Sequence, residues 1–90
     1  MHKDVYKDDD GSLLISGTAT IRSLNRTLQW DLPTNGPKTL NGLILEYLET
    51  IPEPGTSLKL HGLSMEVLQI HDNAIKTVRI HNLSSPAGPA

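Results

Sequence analysis

The chain has 90 residues, 37% hydrophobic and 20% charged, with a net charge of −2 and no cysteine. That length gives one small domain with a single core and no room for a two-domain catalytic cleft. The missing cysteines exclude disulfides, thiolate metal sites and a redox nucleophile, and the acidic balance leaves no global field to draw in nucleic acid or anionic lipid.

With one Trp, two Tyr and no Phe, the core has to be aliphatic. No apolar run approaches the roughly 20 residues that cross a bilayer. The polar start His2-Lys3-Asp4 is not a signal peptide, so this segment is expected to insert into no membrane by itself.

In chain order, residues 3 to 17 predict a β-hairpin. Val5 and Tyr6 precede a polar turn at Asp8, Asp9, Asp10 and Gly11, and Leu13, Leu14 and Ile15 follow. Asp-Gly is a two-residue hairpin signal, which places a type I′ turn at Asp10-Gly11. Thr20 then reads as an N-cap for a short helix of about two turns, with Ile21, Leu24 and Leu28 on one face. Trp30, Asp31, Leu32 and Pro33 end it, with Trp30 covering the edge of the core. Thr34-Asn35-Gly36-Pro37 makes a turn-rich connector.

The sharpest pattern follows. Leu40, Leu43, Ile44, Tyr47, Leu48 and Ile51 recur at helical spacing, which predicts an amphipathic helix from about residue 40 to 50, capped by Thr39 and stopped before Pro52. Its apolar face is expected to hold the domain together. Pro54-Gly55 supplies a tight turn. Leu58 and Leu60 alternate with Lys59 and His61 as in a strand with one wet face, and Gly62 breaks it. Met65, Val67, Leu68 and Ile70 predict the next strand, with a bulge or two-faced burial at Val67-Leu68. Asp72-Asn73 closes a hairpin onto Val78 and Ile80. Ser84 to Ala90 carry no large apolar side chain, so residues 83–90 are expected to be a disordered tail and the domain is assigned to residues 3–82.

Chemistry-bearing residues are few. Asp8, Asp9 and Asp10, with Asp4 nearby, offer hard oxygen ligands suited to calcium or magnesium, but their spacing is not that of an EF-hand loop. A solvated turn is the leading reading and a weak divalent-cation site is the other. His61, His71 and His81 suggest zinc, yet the predicted hairpin separates His71 from His81 by roughly 25 Å, which leaves exposed strand histidines. No serine sits in a nucleophile elbow, and no G-x-G-x-x-G or phosphate-binding lysine loop is present. Lys59, Lys76 and Arg79 are expected to share a solvated sheet face. Nothing in the residues predicts an enzyme.

Taken in order, several short motifs resemble the CorC/HlyC transporter-associated domain. They are Asp10-Gly11-Ser12, Leu24-Asn25, Asp31-Leu32-Pro33, Thr39-Leu40-Asn41-Gly42-Leu43-Ile44, Ile51-Pro52 with Pro54-Gly55, and Ile75-Lys76-Thr77-Val78-Arg79-Ile80, spread over residues 5 to 82. The resemblance implies an α+β fold related to a subdomain of PCMH-type FAD-binding folds. It also implies a place on the cytoplasmic side of the bacterial inner membrane, at the C-terminus of magnesium and cobalt efflux or haemolysin-like proteins. In such proteins a membrane segment and paired CBS domains precede the module, which modulates ion transport. The family brings no catalytic residues. Arg22, Ser23 and Arg26 stand where the family often has acidic residues, and Met65 stands where an aromatic is frequent.

The expectation is therefore an α+β domain, a mainly antiparallel sheet with two helices on one face, acting as a non-enzymatic accessory of a divalent-cation transporter. Its partners would be the parent membrane protein, the parent's CBS domains and a second copy of itself, with no nucleic acid. The alternatives are a nucleotide or FAD-type ligand domain and a direct cation sensor. FAD and adenine nucleotides are disfavoured by the missing phosphate loop, and no cofactor is required.

Overall fold

A computed structural model describes residues 4–82. Lys3 and the expected tail at 83–90 lie outside them. Five strands and two helices run in the order β1 (Val5–Lys7), β2 (Leu13–Ser16), α1 (Ile21–Leu28), α2 (Leu40–Leu48), β3 (Ser57–Leu60), β4 (Leu63–His71) and β5 (Ala74–Asn82). The strands form one sheet in the spatial order β1-β2-β5-β4-β3, and every pairing is antiparallel.

Register places the apolar residues of each strand on one face. Val5 opposes Ile15, Ile15 and Val67 flank Val78, Leu13 and Met65 flank Ile80, and Leu58 opposes Met65. Ile15, Met65, Val67, Val78 and Ile80 are buried in one cluster with Ile21, Leu24, Leu40, Leu43 and Ile44 from the helices. Both helices therefore cover the same side of the sheet, as expected. The core is aliphatic, and Trp30 packs against it partly buried, at the edge.

Both helices start where the threonines predict. Thr20 Oγ1 accepts from Ser23 N–H at 3.2 Å, and Thr39 Oγ1 accepts from Gly42 N–H at 3.1 Å, each satisfying an amide the helix leaves open. The second helix ends earlier than its periodicity suggests. Glu49 takes a left-handed conformation (φ 60°) and donates its N–H to Leu45 C=O, so Ile51 falls outside the helix. Ile51 is 49% exposed and Tyr47 is 55% exposed. The apolar face that packs is therefore Leu40, Leu43 and Ile44, with Leu48 and Leu45 partly buried against the cluster; Tyr47 is not part of it.

Two turns correct the reading as well. The β1–β2 connection is not a two-residue type I′ turn. Gly11 N–H donates to Asp8 C=O, Asp8 N–H donates to Ser12 C=O, and only Gly11 of the loop has positive φ (87°). This is a three-residue loop in which a turn through Asp9-Asp10 is followed by a left-handed glycine bulge. The two-residue turns with positive φ at both positions are His61-Gly62 and Asp72-Asn73, so β3 is hairpinned to β4 just as β4 is to β5. The bulge predicted near Val67-Leu68 is present as a register shift between Val67 and Gln69.

Candidate functional site

Asp8, Asp9 and Asp10 all lie in the β1–β2 loop, and a cation from this chain already stands among them. Arg79 belongs to β5, directly opposite Leu14 of β2, so its side chain emerges on the sheet face the helices leave open, next to the loop. Its Nη1 lies 3.4 Å from Asp8 Oδ2, 3.5 Å from Asp10 Oδ2 and 3.4 Å from Ser12 Oγ. The guanidinium thus bridges two carboxylates.

Ser12, which is fully buried, fixes the other side of Asp10. Its N–H and its hydroxyl both donate to Asp10 Oδ1, at 2.9 and 2.6 Å. Asp8 Oδ1 accepts from Asp9 N–H at 2.8 Å. The Asp10 carboxyl is consequently held below its ordinary pKa, chiefly by the Ser12 hydroxyl and then by the Ser12 amide; desolvation opposes them, and Arg79 and His81 add lesser attraction. The motif Asp10-Gly11-Ser12 is a loop lock: aspartate accepts, glycine bends, serine donates.

That geometry limits what the loop can do with a metal. Each carboxylate has one oxygen engaged by loop donors and the other by Arg79, while Asp9 makes no ion pair among the described residues. A divalent cation would compete with the guanidinium for the Asp8 and Asp10 oxygens. Among the described residues no group of three or more His, Cys, Asp or Glu side chains converges on one point. The histidines are dispersed: His61 is in the β3–β4 turn, His71 lies 3.3 Å from Asp72 at the β4–β5 turn, and His81 opposes Ser64 near the other end of that hairpin.

Two asparagines that a search for chemistry passes over turn out to organise the fold. Asn25 of α1 donates from Nδ2 to Leu32 C=O and accepts at Oδ1 from Leu32 N–H, both at 2.9 Å. This clasp folds the Asp31-Leu32-Pro33 segment back onto the helix. Asn41 of α2 accepts at Oδ1 from Ile75 N–H at 2.7 Å, and its own N–H donates to Gly17 C=O at 2.8 Å, tying the helix to β5 and to the end of β2. Gly17 is obligatory there, because a Cβ at that position would stand 1.9 Å from Ile75 O. Leu24-Asn25, Asp31-Leu32-Pro33 and the Asn41-Gly42 pair are therefore fold-holding motifs.

The profile of the CorC/HlyC transporter-associated domain matches residues 6–84. The chain belongs to the transporter-associated domain family. This transporter-associated domain is 40% identical over 78 residues to the UPF0053 inner membrane protein YfjD of Escherichia coli K12, an alignment covering 87% of this chain and 18% of that protein. A functionally unknown conserved protein from Haemophilus influenzae Rd KW20 superposes with a TM-score of 0.86 at 42% identity, covering 88% of this chain and 98% of that one. The transporter-associated domain of a Xylella fastidiosa Temecula1 hemolysin, in complex with magnesium and manganese, superposes with a TM-score of 0.79 at 27% identity over 90% of this chain and 99% of that one. The domain spans less than a fifth of the length of the first curated relatives it matches. Among its described residues no helix is long and apolar enough to cross a membrane.

Proposed function

We propose that this domain is a non-enzymatic accessory module of a larger inner-membrane protein and that it modulates movement of a divalent cation, magnesium or cobalt, through its parent. The observation carrying this reading is that nearly the whole folded chain corresponds to less than a fifth of an inner membrane relative. The module would sit on the cytoplasmic side, beside the parent's CBS domains. Its work would be done by docking, because Arg79 already pairs with two of the three carboxylates of the most charged loop and, among the described residues, no cluster of three or more His, Cys, Asp or Glu side chains is assembled. The open sheet face, where Tyr6 is 63% exposed opposite Leu14, is the surface the helices leave for such docking. Docked and free states would bias the parent's transport equilibrium only through a difference in affinity for its two conformations. Deleting residues 5–82 from a full-length parent tests this: altered cation efflux or altered regulation of efflux is expected, and unchanged efflux overturns it.

A second reading, direct cation sensing at Asp8, Asp9 and Asp10, is favoured by the magnesium and manganese bound to the Xylella relative. Arg79 argues against it in this chain. Calorimetry with magnesium and manganese on the wild type and on Arg79→Ala separates the two. Heat of binding in the wild type supports sensing, and heat in the variant alone assigns the loop as a site the arginine keeps closed.

A further inference from the structure

The charge of the molecule is inverted at one place away from the acidic loop. Arg22, Arg26 and Lys38 line a groove of about 450 Å³ between α1 and the 34–38 connector, together with Thr20, Thr34 and Gly36. The groove walls are tied by the backbone: Ile21 N–H donates to Lys38 C=O at 2.8 Å, and Thr20 pairs with Thr39 in an isolated antiparallel bridge. Arg22 and Arg26 are four residues apart on α1 and so share a face.

All three cations are exposed, and among the described residues none lies within ion-pair distance of a carboxylate; the ion pairs found involve Arg79 and His71. In a chain where ten acidic residues outnumber eight basic ones, three of the eight gather here with no ion-pair partner among the described residues. Like charges one helical turn apart repel each other, and an anion between them and Lys38 would relieve that repulsion. Glu46 gives the groove a negative edge on one side, its Oε1 3.9 Å from where a Gly36 Cβ would stand.

We propose that this groove binds a phosphate-bearing anion. Two guanidinium forks, an ammonium and two threonine hydroxyls supply more donors than the two oxygens of a carboxylate can accept, whereas a terminal phosphate presents three oxygens in a tetrahedral array. The volume is in the range of small-ligand sites. The same phosphate chemistry is carried by a soluble phosphorylated compound and by a phospholipid headgroup, and the groove is open enough for either. The inference stands apart from the transport role, since it rests on the groove alone.

Calorimetry and thermal melting of the intact protein at low salt, where exposed charges are least screened, would use pyrophosphate as one probe and phosphatidylglycerol vesicles in phosphatidylcholine as the other. The expected result is saturable binding that weakens about tenfold or more when Arg22→Gln is combined with Arg26→Gln, is unchanged in the exposed-charge control Lys59→Gln, and tightens in Glu46→Gln. Lys38→Gln provides a second groove variant should the double variant fail to fold, which circular dichroism reports. Binding of pyrophosphate alone assigns a soluble ligand, and binding of vesicles alone assigns a headgroup. Binding of neither probe overturns the proposal, as does an equal loss of affinity in Lys59→Gln, which would mark diffuse charge attraction.

Discussion

Asn25 and Asn41 each stand in for a backbone partner that the fold does not otherwise supply. Removing the Asn41 side chain leaves the partly buried Ile75 N–H without its acceptor, and the desolvation penalty for such an orphan is about 1–3 kcal/mol. Asn41→Ala is therefore expected to lower the urea-unfolding free energy by about that amount, and Asn25→Ala, which breaks both Leu32 bonds, by about 2 kcal/mol. A variant within a few tenths of wild type would show that water takes over these bonds.

The loop lock makes its own prediction through pH. The Asp10 carboxyl is held below its unfolded value of about 3.9 by the Ser12 hydroxyl and amide. A depressed folded pKa means that the contribution is fully present above the unfolded value and is lost as pH falls through the folded one. Urea midpoints followed downward from about pH 5 should fall more steeply for wild type than for Asp10→Asn, which has nothing to protonate. Parallel curves would remove Asp10 from the acid response.

At the scale of elements, α2 shows where periodicity stops being a guide. Tyr47 and Ile51 have the spacing of core residues, but a left-handed Glu49 ends the helix before the pattern does. Spacing reports which face a residue would take if the helix continued; it carries no information on where a non-glycine residue accepts positive φ. Tyr47→Ala should therefore change stability by less than about 0.5 kcal/mol, whereas Ile44→Ala, fully buried, should cost about 2–5 kcal/mol. Glu49→Gly should raise the melting temperature, since it relieves a left-handed side-chain penalty of about 1 kcal/mol at the helix end.

The order of elements, both helix caps, the bulge and the Asp72-Asn73 turn were readable because each depends on local chemistry. The three-residue loop Asp9-Asp10-Gly11 was not, because Asp-Gly serves both turn types and only the pairing of Lys7 with Leu13 decides between them. The candidate site was legible as a cluster of carboxylates and no further. Its counter-ion, Arg79, is 69 residues beyond Asp10 in the sequence, and only the sheet order β1-β2-β5 brings it alongside. The groove at Arg22 and Arg26 is similarly hidden, since a net charge averages over surfaces that the fold keeps apart.

For the whole molecule, one aliphatic core joins both helices to a single sheet face, so damage at the junction should unfold the domain rather than a part of it. Gly17 is the most sensitive point, where a methyl group would overlap the Ile75 carbonyl. That property permits a direct test of the modulator role with one added carbon. A full-length UPF0053-type protein carrying this sequence would be reconstituted in vesicles as wild type and as Gly17→Ala, at matched abundance, and the initial rate of magnesium and cobalt efflux measured against ion concentration. A changed dependence of efflux on ion concentration is expected when the module cannot fold; superimposable curves for the two proteins would contradict the modulator role.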